Sequence, residues 1–161
     1  MRMHEGVEWA LHSCLNLAWA GPEHAVPAAR LAAYHDLPAA YLNKQLQALA
    51  RAGIVSSVPG PRGGFRLARR PEDVTVMDVV AAIEGSEHAF RCAEIRQQGP
   101  GAGMQDSYRD PCTVSQAMRR AELAWRRELA GQTLADIKAT AERTAPGVPA
   151  RVSRWFADAR A

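Results

Sequence analysis

Four side chains carry the chemistry most worth placing: Cys92, Cys112, Glu8 and His12. The two cysteines stand 20 positions apart across an irregular stretch, and Cys112 follows Pro111 directly before a predicted helix. A thiol at a helix N-terminus is drawn towards thiolate, the form that binds metals. Two thiolates make half of a four-ligand metal site. Glu8 and His12 are four positions apart in a predicted first helix, so both project from one face. A carboxylate and an imidazole are candidates for the other half. The same residues admit other readings: an ordinary surface pair for Glu8 and His12, a redox disulfide or the remnant of a lost site for the cysteines, and His88 as a ligand in place of His12. Cys14 lies two residues past His12, roughly 200° further around the helix, and reads as a small core residue. Trp9 reads as core or interface beside Glu8.

The charge distribution supplies a second candidate surface. The 161 residues carry a formal net charge of +3, but between Ala25 and Arg70 seven Lys/Arg face a single acid, Asp36. The remainder holds 13 Lys/Arg against 16 Asp/Glu. A basic block in an otherwise balanced chain suits a polyanion or a merely solvated basic face. Nothing at the start reads as a signal peptide, and no stretch approaches the roughly 20 apolar residues that span a bilayer. The expected location is the cytoplasm, with no membrane partner, where thiols stay reduced and three cysteines imply no disulfide framework. No Ser/His/Asp order, phosphate-binding loop or paired-carboxylate spacing is present, so an enzyme is not expected. Gly60–Gly64 lacks the following Lys-Ser/Thr of a phosphate loop and precedes a strand.

The positioning elements follow from periodicity. Val7, Leu11, Leu15 and Ala18 predict a first helix over 6–19, ended by Gly21-Pro22. Pro27 suits the first turn of a short helix over 27–35, with Leu31 and Tyr34 inside. A turn at Asp36-Leu37-Pro38 leads to a third helix over 38–52, with Tyr41, Leu42, Leu46 and Leu49 as its apolar set and Gly53 as its left-handed stop. Strands at 54–58 and 65–68 flank the turn Pro59–Gly64. Thr75 can cap a helix over 76–84 with Val76, Val79, Val80 and Ile83 inside, ended by Gly85. Residues 86–111 read as an ordered loop, rich in glycine at Gly99, Gly101 and Gly103, with a short helix near 93–98. A long helix over 113–130 repeats Val114, Met118, Ala121, Trp125 and Leu129 on one side. Thr133 and Asp136 resemble a capping box opening a last helix to about Arg143.

This order of helix, helix, turn, helix, strand, glycine turn and strand is that of a winged helix-turn-helix. The fold class expected is mainly α with a small β-hairpin wing: a winged helix-turn-helix domain plus a long dimerisation helix. Residues 1–85 form the DNA-binding domain, 86–112 a cluster-binding loop, 113–145 the dimerisation helices, and 146–161 a flexible tail whose Trp155-Phe156 could dock. In that geometry the third helix enters the major groove and presents Ala39, Tyr41, Asn43, Lys44 and Gln47. Asn and Gln can read adenine edges, and Lys can reach guanine or phosphate. Tyr41 also fits a core or phosphate-contacting role. Arg62, at the tip of the glycine turn, can enter the minor groove. Arg30, Arg66, Arg69 and Arg70 suit phosphates, which set affinity rather than sequence preference. The apolar stripe of the 113–130 helix exceeds what a small headpiece covers, so Val114, Met118, Ala121 and Trp125 are expected between two copies in a homodimer. Folding part of the stripe back on the chain's own headpiece is the alternative.

Several stretches resemble the Rrf2 family: 37–55 with 60–69, the helix Val74-Thr-Val-Met-Asp-Val-Val-Ala-Ala-Ile-Glu-Gly85, Cys92-Ala-Glu-Ile-Arg96, and Arg120-Ala-Glu-Leu-Ala-Trp125. The similarity spans about residues 5–140. It implies a dimeric winged-helix repressor of double-stranded DNA, often carrying an iron–sulfur cluster that senses redox state, nitric oxide or cluster supply. Members with the usual site have three closely spaced cysteines; this chain keeps Cys92 and Cys112 but has Gly101 where many relatives have a cysteine. Val7-Glu-Trp-Ala-Leu-His-Ser13 resembles a branch whose two-cysteine members complete a [2Fe-2S] cluster with a Glu and a His from the partner's first helix. The resemblance therefore implies Cys92 and Cys112 on one iron and Glu8 and His12 of the other protomer on the second, with operator binding under control of cluster state. A cluster-free or thiol-switch repressor responding to another signal is the alternative.

Overall fold

A computed structural model describes residues 3–102 and 108–157. Gly103 of the expected loop and residues 158–161 of the expected tail lie outside the described residues.

The first helix, α1 (Glu5–Ala20), places Glu5 and Glu8 in its first turn, where carboxylates complement the helix dipole. Its buried set is wider than the expected stripe. Ala10, Cys14 and Leu17 are fully enclosed beside Val7 and Leu15, while Leu11 and Ala18 are only half-buried. The cause is that α1 packs on two sides at once. Ala10, Cys14 and Leu17 join the main core, whereas Val7 joins a second cluster with Val76 and Val80.

The helix-turn-helix consists of α2 (Ala28–Tyr34) and α3 (Ala39–Arg51). Asp36 makes the turn in the left-handed region, φ 53°, and Leu37 N–H donates to Ala32 O at 2.9 Å. Gly53, φ 69°, ends α3 in a Schellman arrangement, with Gly53 N–H to Ala50 O and Ile54 N–H to Leu49 O, both 3.0 Å. Leu42, Leu46 and Leu49 anchor α3, but Tyr41 is not core. The fourth inward position is Gln45, which lies under Gly6; a Cβ there would come within 2.9 Å of its amide.

The wing is an antiparallel pair, β1 (Val55–Val58) and β2 (Gly64–Leu67), in register Val55↔Leu67 to Val58↔Gly64. Val26 bridges Phe65 on the outer edge through two 2.8 Å backbone bonds. That closeness requires glycine at position 64, where φ is 148° and a Cβ would sit 2.3 Å from the Val26 carbonyl carbon. Gly64→Ala is therefore expected to cost about 1–3 kcal/mol, read as a lowered unfolding midpoint. An unchanged midpoint would mean that the Val26 bridge yields freely.

Thr75 and Thr133 both cap helices by reciprocal bonding with an Asp three residues on, opening α4 (Val76–Glu84) and α6 (Leu134–Thr144). The two caps are stitched together by Leu134 N–H to Val74 O and Val76 N–H to Gln132 O, 2.9 and 2.8 Å. Between them runs α5 (Thr113–Ala130). The chain does not end in a tail at 146. A seventh helix, α7 (Val148–Ala157), buries Val152 and Phe156 in the main core beside α1. Its apolar positions, Val148, Val152, Trp155 and Phe156, are spaced for one helix face. Among the described residues no helix is long and apolar enough to cross a membrane.

Candidate functional site

Burial of Leu42, Gln45, Leu46 and Leu49 leaves Ala39, Tyr41, Asn43, Lys44 and Gln47 together on the exposed face of α3. Tyr41 lies edge-on against Trp9, ring centroids 5.1 Å apart, and so couples α1 to this face. Arg62 is exposed on the wing turn and Arg66 half-exposed on β2. Arg30 stands at the start of α2 but is not a free surface cation. Its Nη2 donates to Trp155 O at 3.0 Å, and its guanidinium carbon lies 4.0 Å from the Trp155 ring centroid. Arg69 and Arg70 engage the fold's own acids. Arg70 Nε donates to Asp73 Oδ2 at 2.8 Å, and Arg69 pairs with Asp78 at 3.5 Å. These local acids, Asp73 in the 3-10 turn Pro71–Asp73 and Asp78 in the Thr75 cap, take up the two arginines, which the charge count ignores.

The cysteine loop is held at both ends. Arg96 pairs with Glu94 at 2.9 Å and donates to Asp110 O at 3.2 Å, and Tyr108 Oη donates to Arg96 O. This clip brings Cys92, exposed, beside Cys112, half-buried, at the N-cap of α5. The Ser115 N–H chiefly, with the Val114 N–H, the Cys92 side chain and the Arg96 guanidinium, holds the Cys112 thiol below its ordinary value. Burial instead pushes the Cys14 thiol up to about 12. In metal-free protein at neutral pH, Cys112 is expected to be alkylated by iodoacetamide well before Cys14, which should react only on unfolding. Peptide mass spectrometry over time reads the order, and early labelling of Cys14 would contradict its enclosure.

A latch that the periodicity did not single out ties the loop's entry to α5. Glu122, 7% exposed, accepts from Arg126 Nε at 2.9 Å and pairs with His88 at 3.3 Å. Arg126 also donates to Glu87 O at 2.9 Å. Burial pushes the Glu122 carboxyl up, but Arg126 and His88 outweigh it and hold it below its ordinary value. The i,i+4 spacing of Glu122 and Arg126 was the available sign. His88 thus meets Glu122 through Nδ1.

Glu8 and His12 are exposed on α1. The His12 ring lies 5.4 Å from that of His35, whose Nε2 meets Asn16 Nδ2 at 3.0 Å. Burial first, then the neighbouring His12, lowers the His35 pKa. Within one chain the described residues contain no group of three or more His, Cys, Asp or Glu able to hold a metal ion. The cysteine pair and the Glu8–His12 pair therefore do not come together as one such group within a chain. On α5, Val114 is 60% and Met118 44% exposed, and Ala121 is exposed too. Trp125 packs on the Val7, Val76 and Val80 cluster of its own chain, as the fold-back reading has it. Leu123, 48% exposed on the opposite side, was not singled out.

Comparison with known proteins brings these observations together. The Rrf2 family profile, described as an iron-dependent transcriptional regulator, matches residues 3–140. The rrf2 protein of Nitratidesulfovibrio vulgaris is 29% identical over 137 residues, 85% of this chain and 87% of that protein. The transcriptional regulator IscR of Aliivibrio salmonicida is 32% identical over 92 residues, 57% of this chain. Only 55% of that regulator's length is spanned, and about half is spanned in similar relatives. Among solved structures, CymR of B. subtilis aligns with a TM-score of 0.68 at 21% identity, over 87% of this chain and 98% of that one. IscR of T. potens aligns at 0.67 and 23% identity, over 90% and 91%. These structural matches establish the winged-helix fold.

Proposed function

Since this chain belongs to the Rrf2 family of transcriptional regulators, which are not enzymes, we propose that it is a homodimeric, redox-responsive DNA-binding repressor of the cytoplasm. The third helix reads the major groove with Asn43, Lys44 and Gln47, Arg62 of the wing enters the minor groove, and the α5 stripe pairs the two copies. The single observation that carries the redox reading is the pairing of Cys92 with Cys112, whose thiolate is favoured at the head of α5.

The donor set fits half of a [2Fe-2S] site. Two cysteine side chains converge, and the Arg96 guanidinium beside them would offset the negative charge of thiolate ligands. Among the described residues no third or fourth ligand lies with them in one chain; the resemblance of Val7–Ser13 implies Glu8 and His12 of a second copy as the remaining two. Such a cluster supplies one-electron chemistry whose potential the mixed ligands tune. The chain's own residues would transmit it. Glu8 and His12 sit on α1, whose Trp9 and Gly6 contact Tyr41 and Gln45 of α3. A small displacement of α1 therefore reaches the reading face directly. Two dimer geometries with different spacing of the α3 helices would bind an operator differently, and the signal would shift their populations.

Anaerobic purification with iron and sulfide assay, followed by absorption and electron paramagnetic resonance spectra before and after dithionite, tests this reading. A coloured protein with a paramagnetic reduced state supports it, and colourless, iron-free protein overturns it. The same cysteine adjacency supports a second reading, a cluster-free thiol switch. There, Cys92 and Cys112 would lose two protons and two electrons to a peroxide and form a disulfide. An intact mass lighter by two hydrogens after peroxide, in iron-free protein that still shifts DNA, distinguishes it.

A further inference from the structure

The family match ends at residue 140, yet α7 lies beyond it and packs on the reading head. Phe156 and Val152 enter the core, and Ser153 Oγ donates to Trp19 O at 2.7 Å. Trp155 of the same helix meets the Tyr34 ring edge-on at 5.2 Å and holds Arg30 by the stack and the carbonyl bond already described. Arg30 in turn lines a cavity of about 660 Å³ between the start of α2 and the wing, shared with Arg62, Arg66 and Phe156. Among the described residues Glu23 is the one carboxylate on its wall. The buried Nε of Arg30 has no acceptor among the described residues.

We propose that α7 builds a seat for a phosphate of the duplex DNA backbone in this cavity, with Trp155 as the positioning residue for Arg30. The inference rests on the DNA-binding reading and adds a contact element from outside the family match. The physical reason is preorganisation. An arginine in solvent loses rotamer freedom when it grips an anion; Arg30, stacked and hydrogen-bonded beforehand, has already lost it. Three guanidinium groups against one carboxylate favour an anion. The occupant is the duplex backbone because Arg62, on the wing turn, lines the same cavity: a strand followed by the wing passes Arg30 and Arg66.

Phosphate contacts are independent of sequence, so mixed-sequence duplex DNA at low salt is the probe, with the full-length dimer, read by fluorescence anisotropy over a salt series. Arg30→Ala is expected to reduce the slope of log affinity against log salt by about one. Trp155→Ala is expected to weaken binding about 2- to 10-fold, Trp155→Phe to restore most of it, and the double variant to bind no worse than Arg30→Ala alone. That non-additivity separates positioning from general loss of fold, and circular dichroism checks that each variant is folded. The proposal is overturned if folded Trp155→Ala binds like wild type, or if its loss simply adds to that of Arg30→Ala. Inorganic phosphate, at matched ionic strength, is expected to displace DNA more from wild type than from Arg30→Ala; phosphate binding at Arg30 that leaves DNA affinity unchanged would overturn the proposal and assign the cavity to a free anion. Absence of any duplex binding by the wild type would defeat the DNA reading itself, a result distinct from these.

Discussion

A chain carrying Cys92→Ser and Cys112→Ser, and a chain carrying Glu8→Ala and His12→Ala, are each expected to be colourless as homodimers, while their mixed dimer regains about half of the wild-type visible absorbance. In the mixed dimer one site receives intact cysteines from one copy and intact Glu8 and His12 from the other; the second site receives neither. The expectation follows from the absence of a three-ligand group within one chain among the described residues, together with the convergence of Cys92 and Cys112. Removing two of four ligands is the largest perturbation available, so the effect should be near all-or-none rather than graded. Differently tagged copies, co-expressed and purified through both tags under anaerobic conditions, allow the measurement. A full spectrum from the Glu8→Ala/His12→Ala homodimer would eliminate those ligands. A mixed dimer as colourless as its parents would eliminate sharing between copies.

The second large effect concerns operator recognition. Asn43→Ala and Gln47→Ala are each expected to cost about 1–3 kcal/mol, roughly 5- to 150-fold in Kd, on an operator recovered by selection from genomic fragments. Binding to mixed-sequence DNA should barely change, because base contacts carry no share of the non-specific term. Both residues are exposed on α3 beside Lys44, and neither belongs to the packing set of Leu42, Gln45, Leu46 and Leu49. Their truncation should therefore leave stability near that of the wild type. Arg62→Ala is expected to behave differently, weakening specific and non-specific binding together and lowering the salt slope by about one. If the Asn43 and Gln47 variants retained wild-type operator affinity, the reading face would have to be sought elsewhere than on α3.

Much of the fold was legible because its signals are local. Gly53 was readable as a left-handed stop, Thr133 and Asp136 as a reciprocal cap, and the wing as two short strands around a glycine turn; each depends on a few neighbouring residues. The exposed residues of α3 were legible for the same reason, as the complement of an apolar period. The apolar pattern misses Gln45 as an inward position and counts Tyr41 in the apolar set as well as on the exposed face, since an aromatic ring counts as core in a pattern. Here it instead meets Trp9 at the surface, while Gly6 on another helix opens room for a buried amide. Trp125 and Arg30 each make an intrachain contact that local pattern does not show. Their partners, the Val7 cluster and Trp155, lie far off in the chain.

The amino-acid order alone determined the succession of helices, the wing and its turn, the exposed residues of α3, and the presence of two thiols with a carboxylate–imidazole pair. These rest on periodicity, caps and side-chain chemistry, which act over a few residues. Only the tertiary structure decided that residues 148–157 form a docked helix, that Glu122 and Arg126 latch the loop before Cys92, and that the cysteine pair stands apart from Glu8 and His12 within a chain. Those outcomes depend on which surfaces find each other across long sequence separations, where burial and charge pairing choose among partners that local pattern cannot rank.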